Sequence, residues 1–350
     1  DLSDEVRRDL AKQDPWVRLG AFVAEQAKAG RNKVYLVLPP EWESAAPWIE
    51  QVVEESLGKC GKGFLIFYGE AVRPPKQYGD DMVFVQVAPS NLPEPEADAV
   101  AALRAARKPV LTLRIPVEPV EGVPEGLPEV AALFLGMKLT VAVFGYLHDI
   151  VFAGQPAVEA YKKYARDLRE APGDVPFPTE VQEVARFRSL FLYYESLLKK
   201  RLISWGDLQT TVGRLGGDMG DAADVYAAIL TLARGAKRLG YLDFTFNGDL
   251  PDSAREVFVR ARHVLGAEIL HVPAKIRTGP SDYHSTEQSE TDGPDELVSL
   301  RLVGMRHVPP IAGQYNDKFL LAQARGTWQA MEDADRWILG RLEEVRAEVD

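Results

Sequence analysis

Cysteine is nearly absent from this chain, with Cys60 the only one among 350 residues. A disulfide within the chain is therefore excluded, and the composition suits a reducing cytoplasm, which is the location we expect. Histidine is also scarce, with five residues whose spacing does not match that of metal ligands. The sequence thus predicts neither a disulfide-stabilised protein nor a metal site.

Positive charge is in short supply as well. Lysine and arginine number 41 against 52 acidic residues, which gives a net charge of -11. No basic cluster interleaved with aromatic residues is present, so nucleic acid is not an expected partner. An anionic small molecule stays possible as a substrate, because a pocket can be positive locally.

Long uncharged apolar runs are missing. The most apolar stretch, residues 127–147, contains Glu129 and Lys138, which favours a buried helix over a membrane span. The first residues are acidic and have no apolar segment, so no signal peptide is expected. The hydrophobic content of 46% and charged content of 27% are typical of globular proteins, and 350 residues exceed the usual size of one core.

Predicted strands and helices alternate over the first part of the chain, which indicates an α/β fold with a doubly wound parallel sheet flanked by helices. We predict three parts: an α/β domain, a helical segment and a smaller C-terminal α/β part, at residues 1–170, 171–240 and 241–350. Within the last two we expect helices at 181–200, 221–239 and 317–349, a strand at 268–272, and a polar, mobile loop at 279–293.

Glu55 occupies the end of a predicted helix that starts at Trp48 and stops at Gly58. A carboxylate at such an end feels the negative pole of the helix. Partial loss of water would raise its pKa further, toward the range of a general base. A solvated pair of Glu54 and Glu55 at a helix end is the alternative interpretation.

Residues 19–87 resemble the second sugar-isomerase (SIS) domain of glucose-6-phosphate isomerases, most of all the bacterial type fused behind a transaldolase. The run Glu55-Ser56-Leu57-Gly58-Lys59 is similar to the Glu-Ser-x-Gly-Lys motif of that family. The resemblance implies that Glu55 is the base that moves a proton between C1 and C2, and that Gly58 and Lys59 bind substrate. Leu57 departs from the Thr or Asn expected there.

A second match lies at residues 155–162, which are similar to the family's Gln-Pro-x-Val-Glu-x-x-Lys motif. The resemblance implies that Gln155 and Lys162 line the pocket, where Lys162 serves as a cation near the developing enediolate or orients the ring oxygen during ring opening. Ala153 and Gly154 replace the Phe and Asp that precede the motif in the family. An ordinary helix with a surface pair of Glu159 and Lys162 is the alternative.

The third match, residues 279–288, resembles the family's Gly-Pro-x-x-x-His-Ser-Thr-Gly-Gln loop. It implies that His284 is the acid that protonates the ring oxygen during ring opening. Glu287 stands where the family has Gly, Glu290 where it has His and Thr291 where it has Lys. Acidic groups at these positions should repel a sugar phosphate.

Taken with the resemblance, these residues imply interconversion of glucose 6-phosphate and fructose 6-phosphate through an enediol, in carbohydrate metabolism, with no metal or nucleotide cofactor. The phosphate-binding Gly-Gly-Ser-Ser-type loop of the family is not found in this sequence. We therefore expect a first SIS domain or a transaldolase part outside this chain as partner, and a homodimer. A non-catalytic sugar-phosphate-binding protein and a purely structural SIS-domain protein stay open as alternatives.

Overall fold

The computed structural model divides into two compact units, which are residues 1–155 with 292–294, and residues 156–291 with 295–350. The residues it describes are 3, 8–9, 12–116, 121–124, 126–175, 184–187, 190–247, 252–279, 282–303 and 316–343. The predicted boundaries at residues 170 and 240 stay predictions.

The first unit is built on a four-stranded parallel sheet. Its helices are α1 (Pro15–Lys28), α2 (Ala46–Leu57), α3 (Ala97–Ala105) and α4 (Leu127–His148), with 3-10 turns at Pro40–Ala45 and Pro75–Gln77. Its strands are β1 (Lys33–Val37), β2 (Leu65–Phe67), β3 (Met82–Pro89) and β4 (Val110–Ile115). The strand order is β2-β1-β3-β4 and every neighbouring pair is parallel.

The apolar sequences of the first three strands explain why these strands are buried. Every residue of β1, β2 and β3 is buried, as expected of parallel strands covered on both faces. One face of the sheet shares a hydrophobic core with α1, α2 and α4, through residues such as Val34, Ile49 and Phe144. The expected α/β fold with a parallel sheet flanked by helices is therefore confirmed.

Helices α1 and α4 pack closely because glycine stands at their contact. A Cβ on Gly136 would lie 2.0 Å from the Trp16 ring, and one on Gly20 would lie 2.9 Å from the Thr140 carbonyl oxygen. The Thr140 hydroxyl also donates to the Trp16 carbonyl at 3.1 Å. This packing fixes the position of α4 on the core. It therefore also fixes the position at which the chain leaves the end of α4.

Helix α4 is apolar on its outer face too. Leu135 is 72% exposed and Tyr146 is 85% exposed. By length and composition alone this helix could cross a membrane, and 39% of its most apolar window is buried. Its inner face belongs to the core of the first unit. The expectation of a buried helix in place of a membrane span stays a prediction.

The second unit contains a six-stranded mixed sheet. Its helices are α5 (Pro156–Glu170), α6 (Glu195–Lys199), α7 (Trp205–Arg214), α8 (Ala222–Gly235), α9 (Asp252–Ala261), α10 (Tyr283–Asp292) and α11 (Asp317–Asp333), and α9 continues as a π-helix over Arg262–Leu270. Its strands are β5 (Val184–Phe187), β6 (Leu190–Tyr193), β7 (Tyr241–Asn247), β8 (Ala274–Gly279), β9 (Leu297–Val303) and β10 (Trp337–Glu343).

The strand order in this sheet is β5-β6-β10-β9-β7-β8. Strands β7 to β10 pair in parallel, and the hairpin of β5 and β6 joins β10 in antiparallel fashion. One face of the sheet is apolar and shares a core with α7 and α8, through residues such as Leu242, Val298 and Ile229.

Four sequence predictions in this unit are wrong. The helix expected at 181–200 is replaced, where the chain is described, by β5, β6 and the short α6. The terminal helix stops at Asp333, and β10 follows it. The strand expected at 268–272 is helical up to Leu270, and the strand starts at Ala274. The expected mobile loop contains α10, whose residues Glu287–Glu290 are buried.

Candidate active site

Glu55 lies in the last turn of α2, as the sequence predicts. The helix ends at Gly58, whose N–H donates to the Glu54 carbonyl oxygen at 3.1 Å. One turn earlier on the same side of the helix is Gln51, and its Nε2 lies 3.3 Å from Glu55 Oε2. The side chain of Gln51 was not predicted as part of the site, although its spacing of four residues from Glu55 was a usable signal.

Gln155 meets Glu55 from the other side. Its Nε2 donates to Glu55 Oε1, although the two residues are 100 positions apart in the sequence. Each carboxylate oxygen of Glu55 therefore has an amide donor, one from Gln51 and one from Gln155. Two of the predicted site residues are thus in direct contact, and the carboxylate is oriented by both amides.

Lys59 is buried, with 6% of its surface exposed. Its Nζ donates to the carbonyl oxygens of Val151 at 2.8 Å and Ala153 at 3.3 Å. Burial lowers the pKa of Lys59, and the carboxylates of Asp292 and Glu55 oppose that shift. The ammonium is therefore engaged by the backbone of the segment that leads to Gln155.

The departure at Leu57 has a packing explanation. Leu57 is fully buried and belongs to the core of the first unit, where its Cδ2 approaches α4 at Gly145. A hydroxyl or amide at this position would need a partner inside an apolar core. The side chain at position 57 therefore contributes to packing in this chain.

Lys162 and His284 belong to the second unit. Lys162 is on α5, and its Nζ lies 3.4 Å from Glu159, in the surface pair considered as the alternative to a pocket role. His284 is in the first turn of α10, and its side chain lies outside the described part of the structure. The roles predicted for these two residues stay predictions.

Glu287 and Glu290 are buried partners of arginines in the second unit. Glu287 Oε1 lies 2.7 Å from Nη1 of Arg301, and Glu290 pairs with both Arg301 and Arg277. Burial raises the pKa of Glu287, and Arg301 opposes this shift. These acidic residues neutralise buried cations, which is a structural reason for their presence at positions that are apolar or basic in the resembled family.

The sequence contains a pattern that could have predicted these buried charged residues, in alternate positions of three strands. Asp243 and Thr245 on β7, Lys275 and Arg277 on β8, and Ser299 and Arg301 on β9 occupy matched register positions. Alternation places such residues on one face of a sheet. A buried polar face opposite an apolar one could have been predicted from this pattern.

A separate cavity of about 230 Å³ opens at the carboxyl end of β1. Leu36 and Leu38 form part of its wall, and Glu43, Glu70 and Glu96 contribute carboxylates. The crevice at this edge is where open α/β sheets commonly bind ligands. Three acidic side chains make it a poor site for a phosphate.

Among the described residues, no group of three or more His, Cys, Asp or Glu could hold a metal ion.

No model of a known protein family matches the sequence, and no curated protein matches it. Solved structures give weak similarities. A hypothetical protein from Thermus thermophilus is 13% identical, with 95% of this chain and 77% of that chain covered and a TM-score of 0.29. The C-terminal domain of glucosamine-fructose-6-phosphate aminotransferase from Francisella tularensis is 9% identical, with coverages of 91% and 93% and a TM-score of 0.25.

A protein from Salmonella typhimurium that has been proposed to be a phosphosugar isomerase is also similar. It is 9% identical, with 93% of this chain and 81% of that chain covered and a TM-score of 0.26. Two of these three names refer to phosphosugars. At such TM-scores the similarities add no weight to an argument about function, which depends on the residues around Glu55.

Proposed function

We propose that this chain takes part in aldose–ketose isomerisation of a sugar phosphate, glucose 6-phosphate to fructose 6-phosphate, by proton transfer through an enediol. The contact that carries the proposal is between Glu55 and Gln155, two residues that the resemblance assigns to one pocket and that are hydrogen-bonded here. In this proposal Glu55 removes the proton from C2 and returns it to C1. A base for such a transfer must be held in a fixed orientation next to the carbon acid.

The polar neighbours of Glu55 suit that task. Gln51 and Gln155 each present an amide whose nitrogen donates to Glu55 and whose oxygen is an acceptor suited to a sugar hydroxyl. Lys162 is proposed to stabilise the developing enediolate, and His284 to protonate the ring oxygen. The phosphate is proposed to bind to a first SIS domain outside this chain, within a homodimer.

The experiment is a coupled assay of glucose 6-phosphate isomerisation by the purified chain, alone and after addition of a separately produced first SIS domain. Glu55→Gln should abolish turnover and largely preserve substrate binding, because the amide keeps the shape of the side chain and cannot accept the proton. Glu41→Gln is the matched control, since Glu41 is an exposed residue in the same unit. An unchanged rate in Glu55→Gln would remove Glu55 as the base.

A second candidate is a non-catalytic sugar-phosphate-binding protein. Two observations favour it: Leu57 is packed in the core, and Glu290 is committed to Arg277 and Arg301. Both positions carry polar or basic groups in the resembled family. Calorimetric binding of glucose 6-phosphate without turnover would support this candidate, and the absence of both would leave a structural role.

A further inference from the structure

Two lysines project from one tight turn that follows α2. Lys59 and Lys62 exchange backbone hydrogen bonds of 3.3 Å and 2.9 Å, and the turn between them has Cys60 at φ 54° and Gly61 at φ 70°. The Gly61 N–H also donates to the Asp292 carbonyl oxygen at 2.8 Å. These hydrogen bonds fix the backbone of the turn, and they therefore fix the positions from which the Lys59 and Lys62 side chains extend.

Both ammonium groups reach the segment that connects α4 to Gln155. Lys62 Nζ lies 2.9 Å from the carbonyl oxygen of His148, the last residue of α4, where a cation also complements the helix dipole. Lys59 Nζ lies 2.8 Å from the Val151 carbonyl oxygen and 3.3 Å from that of Ala153. Lys62 thus holds the end of α4, and Lys59 holds the segment that follows it.

The segment has little else to hold it near Gln155. Ile150 is buried, and its N–H donates to the Gly145 carbonyl oxygen at 2.9 Å, so the first residues are fixed by α4. Residues 151–154 are exposed, and the contact of their side chains with α4 comes from Phe152, a half-exposed ring that approaches Gly145. The ammonium of Lys59 meets the backbone two residues before Gln155, at the point where packing ends.

We propose that Lys59 is a positioning residue whose ammonium fixes the segment 151–154 and so holds the Gln155 amide against Glu55. A buried ammonium needs acceptors for its donors, and the carbonyl oxygens of Val151 and Ala153 supply them. The carboxylates of Asp292 and Glu55 also favour its charged form. The catalytic consequence rests on the proposed isomerase function, whereas the anchoring of the segment does not. This role differs from direct contact between Lys59 and the substrate.

Lys59→Met keeps the length of the side chain and removes its charge and donors. Chymotrypsin cleavage after Phe152, which is 49% exposed, reports how often the segment opens. We expect cleavage to be faster by about tenfold in Lys59→Met and by less than about twofold in Lys62→Met, the matched control. If Lys59→Met does not fold, Lys59→Gln, which retains a donor, replaces it in the same comparison of cleavage rates. Unchanged cleavage in the Lys59 variants would overturn the proposal.

Catalysis gives the second readout. If Lys59 acts through Gln155, Lys59→Met should lower kcat by up to about 10²-fold with little change in KM. The double variant Lys59→Met with Gln155→Ala should then be no slower than Gln155→Ala alone. If the loss of kcat in the double variant equalled the product of the losses in the two single variants, the positioning role would be overturned. An effect of Lys59→Met on KM alone would overturn it as well. A wild-type chain without turnover even after addition of the first SIS domain would contradict the proposed function, and the cleavage comparison would still decide whether Lys59 anchors the segment.

Discussion

The side-chain amide of Gln155 donates to Oε1 of Glu55, across 100 residues of sequence and between the segment after α4 and the last turn of α2. Gln51 holds the other carboxylate oxygen from within α2 itself. The orientation of Glu55 therefore depends on one local and one distant contact. These two contacts can be tested separately.

Gln155→Ala is expected to lower kcat by about 10- to 100-fold, because a misplaced base loses most of its reactivity. Gln51→Ala should have a smaller effect, because its contact with Glu55 is at 3.3 Å and comes from the same helix as Glu55. Stopped-flow or coupled assays of glucose 6-phosphate isomerisation would measure both. Equal and negligible effects of the two substitutions would contradict a role for these amides in orienting Glu55.

Arg301→Met is expected to destabilise the second unit by about 3–5 kcal/mol, because it leaves the buried Glu287 carboxylate without its ion-pair partner and Glu290 with Arg277 alone. Arg301 is 1% exposed and lies between Glu287 and Glu290. Urea unfolding would measure the change. Lys163→Met is the control: its pair with Asp167 is exposed, and loss of such a pair changes stability by less than about 1 kcal/mol. If Arg301→Met lowered stability as little as Lys163→Met does, the buried ion pairs would not be needed for the stability of the second unit.

The fold of the first unit could be predicted in large part because its strands are continuous apolar runs and its helices have regular apolar spacing. Helix α2 is an example, because it lies within a few residues of its predicted position from Trp48 to Gly58, and strand β3 is an apolar run that is buried throughout. The region 181–200 was misread because an apolar run fits a helix or a strand equally well by period. Its aromatic and β-branched residues, such as Val184, Phe187 and Tyr193, favoured strands.

The candidate site could be predicted only in part. Gln51 was within reach of a spacing argument, since residues four apart on a helix are neighbours. The contact between Glu55 and Gln155 depends on how α4 packs on α1 and α2, and no local pattern encodes that packing. The pairing of Glu290 with two arginines likewise depends on where α10 lies on the sheet.

The stability of the second unit should depend on pH through Glu287. Burial raises the pKa of this carboxyl in the folded state above its usual value. A raised pKa means that the folded state binds the proton more tightly than the unfolded state. The contribution of Glu287 is therefore fully present below the unfolded pKa and is lost as the pH rises through the folded pKa. Wild type should accordingly gain stability relative to Glu287→Gln as the pH falls.

Urea unfolding of both proteins from about pH 8 to about pH 5 would measure this difference. Glu159→Gln is the control, since Glu159 is 70% exposed. Its stability difference from wild type should vary less over the same range. A difference between wild type and Glu287→Gln that grows in favour of wild type as the pH rises would contradict the assignment, because it would mean that Glu287 is stabilised as an anion.

Gly326→Ala should destabilise the second unit by about 1–3 kcal/mol through overpacking. A Cβ at Gly326 on α11 would lie 2.8 Å from the backbone nitrogen of Ala165 and 2.9 Å from the carbonyl oxygen of Tyr161, both on α5. Gly213→Ala on α7 is the matched control: apart from its own stretch of helix, no described atom lies within 4 Å of the added Cβ, so the better helix propensity of alanine should stabilise by about 0.5–1 kcal/mol. Thermal unfolding of the two variants should therefore shift in opposite directions. If Gly326→Ala stabilised the protein, the close approach of α5 and α11 would be contradicted. Alanine stabilises a helix relative to glycine only where its Cβ meets no other atom.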